Sequence, residues 1–514
     1  MLFNSYAFIF GFLPVTLVVF YLLGRNIGIR AGIGWLVICS LFFYGWWNPA
    51  YLGLIVGSMM FNFIVGTSLA RRVGRPGNRT LLLLGVGVNL GLIAYFKYAN
   101  FFVGNLNTVA GTDYNLGVII LPLAISFFTF QQITFLIDSY VGKVKEYNLL
   151  NYCLFVTFFP QLIAGPIVHH SEMMPQFARR SLANPRAINL AVGLSIFALG
   201  LFKKAVLADG IAPYADSVFA DAENGQALDA IAAWGGALSY TFQLYFDFSG
   251  YSDMAIGLAR MFSIRLPLNF NSPYKATNII DFWRRWHMTL SRFLRDYVYI
   301  PLGGNRKGNA RRHVNMLATM LIGGLWHGAG WTFVVWGGLH GLYLVINHFW
   351  QVLRRSAGFG GDGGWLGRST GQAITFLAVV VGWVFFRALT FDGALVMLEG
   401  MAGLNGVALP AAIAHRAGAL ASSLQAAGVE FSTGGGGDFL KTWGWIAVLI
   451  AITFLLPNTQ EIMRRYKPVL GYVSLAVRRL EWRPTPVWAC GIAALLAVGV
   501  LSLPEVSVFL YFQF

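Results

Sequence analysis

The stretch Leu321-Ile322-Gly323-Gly324-Leu325-Trp326-His327-Gly328-Ala329-Gly330-Trp331-Thr332-Phe333-Val334-Val335-Trp336-Gly337-Gly338-Leu339-His340-Gly341 decides how the rest of the chain is read. It is apolar, it holds seven glycines, and it contains two histidines. Glycine at this density lets helices approach closely in lipid, or leaves a narrow lumen lined by backbone. His327 lies 14 residues beyond His313, where a basic loop ends. At a helical rise of 1.5 Å per residue that is roughly 21 Å, at or past mid-bilayer. An ionisable side chain at that depth reads as functional by default. For His340 a structural alternative, a ring donating to a backbone carbonyl in packed protein, is a plausible reading.

Moving outward, the composition agrees. Lys and Arg number 37 and Asp and Glu 21 among 514 residues, so charged residues make up 11%, against 57% hydrophobic and 16% aromatic. Soluble domains carry about 25% charged residues. With mean hydropathy +0.62, these values exclude a disordered chain, a coiled coil, a basic nucleic-acid-binding domain and a disulfide scaffold. They leave a polytopic membrane protein. The net charge of +16 then reads as Lys and Arg retained in cytoplasmic loops, with no nucleic-acid partner. Cys39, Cys153 and Cys490 sit singly in apolar runs and read as small apolar residues rather than as a disulfide or metal set.

The N-terminus has no basic segment ahead of its apolar run and no small-residue cleavage site, so 7–24 reads as a retained span with its start outside. Further apolar runs lie at about 31–47, 50–69, 80–96, 117–137, 150–168, 188–202, 231–262, 314–332, 334–350, 373–390, 442–457 and 487–503. Arg71 to Arg75, Arg179-Arg180, Arg306 to Arg312, Arg354-Arg355 and the 464–483 segment read as inside. The acidic stretch around Asp216, Asp221 and Glu223 reads as outside, as does 391–440, whose only basic residue before Lys441 is Arg416. The expected fold is all-α, with about 11–13 membrane helices counting re-entrant elements. It divides at 355 into a core (1–355) and C-terminal helices (356–514). Segment 356–364 reads as a glycine-rich linker, and 402–440 as an Ala- and Gly-rich outer loop with some helix.

Two runs depart from simple spans. If 150–168 crossed fully, Arg179 and Arg180 would land outside. Pro160, Gly165 and Pro166 interrupt it, so it reads as re-entrant, and broken helices at membrane depth need surrounding protein or a cavity. Run 231–262 is too long for one simple span and carries Asp247 and Asp253. These are either an ion or proton site or, the favoured reading, hydrogen-bonded carboxylates in a kinked helix.

Residues 281–297 read as an amphipathic helix. Arg284, Arg285, Arg292, Arg295 and Asp296 form one face, and His287 falls with the aromatic and aliphatic residues of the other. An interfacial anchor helix explains the arginines but not a histidine aimed inward. Gly303-Gly304-Asn305-Arg306-Lys307-Gly308 suits phosphates or, equally, an ordinary cytoplasmic turn. His287 and His327 are 40 residues apart without Cys partners, so no metal is expected.

Together these segments resemble the membrane-bound O-acyltransferases, and within them the branch that acetylates alginate. The resemblance rests on Phe42-Tyr44-Trp46-Trp47, Ala94 to Asn100 (AYFKYAN), Leu121 to Phe127 (LPLAISF), Phe159 to Pro166 (FPQLIAGP) and Gln243 to Ala255 (QLYFDFSGYSDMA). It continues in Phe282 to His287 (FWRRWH), Leu302 to Gly308 (LGGNRKG) and Gly323 to Gly328 (GGLWHG). It runs from the N-terminus to about residue 390 and weakens over the last hundred residues. The resemblance implies a ring of tilted helices around a central tunnel in the bacterial inner membrane. It places the family's catalytic histidine at His327 and its second polar position at His287. It also implies acetyl transfer toward an exported polysaccharide, with a periplasmic enzyme as partner.

On that basis acetyl-CoA is expected as donor, its phosphates met by some of Arg284, Arg285, Arg306 and Lys307, with no prosthetic group. His327 acts on an acceptor hydroxyl as general base or as a covalent relay. His287 either donates to the oxyanion or orients His327. The alternatives are D-alanyl transfer to teichoic acid from a carrier protein, acetylation of peptidoglycan or cellulose, and, in another class, a polytopic transporter or flippase.

Overall fold

The computed structural model describes residues 1–144, 147–358, 364–432, 435–471, 480–503 and 509–510. Most of the linker expected at 356–364 therefore lies outside the described residues, as does part of the basic 464–483 segment. Most of the apolar runs become helices, while run 117–137 is helical only within Ile125–Tyr140. Among the described residues six are long and apolar enough to cross a membrane: Ala7–Asn26, Tyr51–Arg71, Asn78–Ala110, Ala187–Glu223, Gly364–Arg387 and Gly436–Leu455. Ile29–Gly45 and Pro486–Leu501 are shorter apolar helices. The architecture is all-α and polytopic.

Helix boundaries follow local chemistry. Gly28, at φ 132°, separates Leu13–Asn26 from Ile29–Gly45 in a conformation glycine adopts at little cost. Thr485 accepts from the Trp488 amide and Pro486 fills the first helical position, where a missing N–H costs nothing.

The chain forms two compact units, each discontinuous in sequence. The first comprises Met1–Phe202, Ser249–Asn269 and Thr459–Phe514. Its helices cross at glycines: a Cβ on Gly193 would sit 2.6 Å from the Gly257 carbonyl oxygen, and one on Gly200 would sit 2.6 Å from that of Gly250. Run 150–168 lies here as two short helices, Leu149–Thr157 and Phe159–Leu162, separated at Phe158. Nine residues rise only about 14 Å, less than half the hydrocarbon core, so this run enters the protein interior without crossing on its own. Its residues are almost all buried.

The second unit comprises Lys203–Phe248 and Phe270–Asn458. Its centre is a tight helical hairpin, Gly308–His327 and Trp331–Ser356, joined by residues 328–330. The glycines of 321–341 permit it. A Cβ on Gly324 would lie 2.3 Å from the Phe333 carbonyl oxygen, and one on Gly337 would lie 2.4 Å from that of Met320. The 402–440 region contains more order than its composition suggests. Val407–Pro410 pairs in parallel with Val429–Ser432, and the crossover holds Ala411–Ala417 and Ala419–Ala426.

Two expectations need correction. Run 231–262 is one unbroken 32-residue helix, Ala230–Met261, about 48 Å long. Its carboxylates are satisfied by specific partners. Asp247 meets Lys204 Nζ at 2.6 Å, while Lys204, itself only 2% exposed, also donates to Asp209 at 2.7 Å. Asp253 accepts from Thr459 Oγ1 at 2.6 Å and Gln460 Nε2 at 2.8 Å. The hydrogen-bonded reading holds, within one helix assigned without interruption.

The second correction concerns 281–297. It is not one amphipathic helix but Ile279–Trp283, a break, Met288–Leu294 and a π-helical turn Arg295–Tyr299. The break is at His287, whose backbone is left-handed (φ 42°, ψ 52°). The first helix closes with Trp286 N–H donating to the Phe282 carbonyl, and the second starts with Ser291 N–H donating to the His287 carbonyl. A non-glycine residue held this way costs on the order of 1–3 kcal/mol and persists only where its surroundings over-determine it.

Candidate functional site

His327 is the last residue of the 308–327 helix, which stops there because Gly328 is extended. His287 is brought to it by the break just described. Both belong to the second unit, both are buried (5% and 0% exposed), and their ring centroids are 6.4 Å apart. The strained backbone at His287 is thus spent on carrying its ring into the interior.

The walls are aromatic. His327 packs edge-on against Trp336 at 5.1 Å and Phe386 at 5.1 Å, with Trp326 at 4.8 Å. His287 packs edge-on against Phe248 at 4.8 Å. Such edge-to-face pairs contribute about 0.5–1.5 kcal/mol each beyond area burial and fix ring orientation. The two imidazoles are therefore held in fixed orientations in a site with little bulk water. In such a low-dielectric setting a hydrogen bond to a developing charge is stronger than in water.

His340 differs from its expected role. It is fully buried, yet neither ring nitrogen has a hydrogen-bond partner among the described residues. In place of a carbonyl it meets rings: Trp336 at 4.9 Å and Trp283 at 5.2 Å. Trp336 therefore touches both His327 and His340. The sequence signal for this was the spacing of His340 from Trp336, one helical turn, which also fits simple core packing. His170 is buried 3.6 Å from Asp138. Burial lowers its pKa, and the Asp138 and Glu172 carboxylates oppose that shift.

The cationic residues divide. Arg284, Arg306 and Lys307 are exposed. Arg285 is half-buried, and its Nε donates to Asp281 at 2.9 Å, so its charge is already matched. The 303–308 loop is a built turn: Gly303, Gly304 and Gly308 have positive φ, and Asn315 Nδ2 donates to the Gly304 carbonyl at 3.1 Å. Tyr299 O–H donates to Asn305. Its glycines thus serve backbone geometry, and Arg306 and Lys307 project from it. Among the described residues no group of three His, Cys, Asp or Glu side chains is placed to hold a metal ion.

Comparison with known proteins gives the family. Residues 136–388, which contain both histidines and all four cationic candidates, match the membrane-bound O-acyltransferase family. A peptidoglycan O-acetyltransferase of Helicobacter pylori is 42% identical over an alignment that covers 100% of this chain and 98% of the relative. A probable alginate O-acetylase of Pseudomonas aeruginosa is 43% identical, covering 78% of this chain and 75% of the relative. A teichoic acid D-alanyltransferase of Streptococcus thermophilus is 29% identical over 52% of this chain and 69% of the relative. With a relative 42% identical matched along 98% of its length, the chain belongs to the membrane-bound O-acyltransferase family and is a multi-pass membrane O-acyltransferase.

Proposed function

We propose that the protein takes an acetyl group from acetyl-CoA at the cytoplasmic face of a bacterial inner membrane and delivers it outward. It passes to a hydroxyl of a cell-envelope polysaccharide or to a periplasmic partner enzyme. The observation that carries this reading is the buried pairing of His287 and His327, 40 residues apart in sequence, within one aromatic enclosure. His327 accepts the proton of the acceptor hydroxyl. The oxygen attacks the thioester carbonyl, the C–S bond breaks, and the proton leaves with the thiol. His287 donates a hydrogen bond to the carbonyl oxygen as negative charge develops there. Arg284, Arg306 and Lys307 meet the donor's phosphates, while Arg285, tied to Asp281, orients the segment that carries His287.

Peptidoglycan is the acceptor we favour over an alginate-like exopolysaccharide, the acceptor suggested by the sequence motifs. The reason is coverage. The peptidoglycan O-acetyltransferase relative aligns through the outer 391–440 region and the C-terminus, while the alginate relative leaves about a fifth of the chain unmatched. The outer region is where acceptor or partner would be met. Deleting the gene in its bacterium and measuring ester-linked acetate tests this. Loss from peptidoglycan supports the reading. Loss from a secreted polysaccharide with peptidoglycan unchanged moves the acceptor assignment to the second reading.

A further inference from the structure

The first compact unit holds a group of arginines that the transfer chemistry does not use. Arg260, in the last turn of the 230–261 helix, is only 6% exposed. One guanidinium nitrogen donates to the Tyr466 carbonyl at 3.2 Å, while Nε has no hydrogen-bond partner among the described residues. A buried charge is expensive unless paired, and the charges that act on Arg260 are those of Arg265 and Arg186, both positive. Arg265 in turn feels Arg179, and burial together with that neighbour lowers its pKa.

The grouping is built. Gln176 grips the Arg265 backbone from both sides, donating to its carbonyl and accepting from its amide at 3.0 Å each, which fixes Arg265 beside the helix leading to Arg179. Asn189 donates to Ser263 Oγ at 2.9 Å, tying the same turn to the segment that begins at Arg186. Leu470 N–H donates to the Leu266 carbonyl at 3.0 Å, so the chain carrying Tyr466 is pinned as well. Nearby carboxylates are engaged elsewhere: Glu172 accepts from the His169 amide, and Glu481 faces Arg464 and Arg483. Among the described residues no carboxylate forms an ion pair with Arg179, Arg186, Arg260 or Arg265.

We propose that Arg260, Arg265 and Arg186, with Arg179 at the rim, form a binding site for a phosphate group. Arginines carried on segments tied together in this way, with no counter-charge among the described residues, suit a multiply charged, many-oxygen anion bound through paired N–H donors. Two sources carry that chemistry, an acidic phospholipid headgroup and a soluble phosphate ester.

The test uses the purified full-length chain in nanodiscs and in detergent. Inorganic pyrophosphate is titrated by calorimetry. Retention of phosphatidylglycerol against phosphatidylcholine is measured by native mass spectrometry. The variant is Arg186→Gln with Arg265→Gln, neither of which is fully buried, and Arg260→Lys keeps the charge but removes the planar fork. Binding of pyrophosphate identifies the soluble source, and selective retention of phosphatidylglycerol identifies the lipid. In either case the double variant weakens binding about tenfold, the loss expected when a charge-assisted contact is removed. Arg260→Lys weakens it less. Neither probe binding to the wild type, or equal binding by the double variant, overturns the proposal. Both readouts are independent of acetyl transfer.

Discussion

Two regions of this protein carry ionisable side chains in apolar surroundings, and they treat them oppositely. On the 230–261 helix each carboxylate is matched by named partners: Asp247 by the Lys204 ammonium, Asp253 by Thr459 and Gln460. At the 308–356 hairpin the histidines are walled by rings: His327 by Trp336, Phe386 and Trp326, His340 by Trp336 and Trp283. A buried polar group closed by hydrogen bonds contributes to a fixed structure. Ionisable side chains in apolar surroundings are thus closed by ion pairs and hydrogen bonds in one region and packed against rings in the other.

The comparison breaks most sharply at Lys204. Lys204→Met leaves Asp247 buried without its ammonium, and removing one member of a buried pair costs about 3–5 kcal/mol. Thermal melting in detergent should show that loss, and Lys204→Met with Asp247→Leu should recover much of it. If the single variant melts like wild type, Asp247 is not framework.

A step smaller in energy is His287→Asn, since asparagine tolerates the left-handed backbone but lacks the imidazole. If His287 serves the developing oxyanion, turnover falls about 10²–10³-fold while the melting temperature holds. If folding fails with it, the ring's role is packing alone.

Gly324→Ala tests the hairpin. The new methyl meets the Phe333 carbonyl, and overpacking of this kind costs about 1–3 kcal/mol, visible as a lowered melting temperature. An unchanged melt would show that the two helices have room to separate.

The smallest effect belongs to exposed charge. Arg284→Gln, or Arg306→Gln with Lys307→Gln, should raise the KM for acetyl-CoA a few-fold at low salt with kcat unchanged, because exposed ion contacts contribute under about 1 kcal/mol. A fall in kcat instead would place these residues at the reacting centre.

Much of this was legible in the sequence, for identifiable reasons. Helices follow from unbroken apolar runs, and the close hairpin follows from glycines at 324, 337 and 341. The short broken pieces at 149–162 follow from Pro160, Gly165 and the side on which Arg179 must lie. The break at His287 was not legible, because Trp286-His287-Met288 contains no glycine, proline or asparagine to announce it. Tertiary packing of the surrounding rings overrides a sequence that reads as continuous helix. The strand pair at 407–410 and 429–432 was hidden by its brevity and by the Ala- and Gly-rich crossover between its strands. The partner of Asp247 lies 43 residues upstream within the Ala187–Glu223 helix, a pairing no local pattern carries. For His340 the sequence suggested a carbonyl partner, where the structure supplies tryptophans.

The central claim is that His327 performs the transfer chemistry, and the most direct measurement is release of free CoA from acetyl-CoA by purified protein in nanodiscs, wild type against His327→Ala. The account predicts measurable thioester consumption by the wild type and a loss of about 10²–10⁴-fold in the variant, the worth of a general base, with insertion and melting unchanged. Equal turnover by a well-folded His327→Ala protein would contradict it.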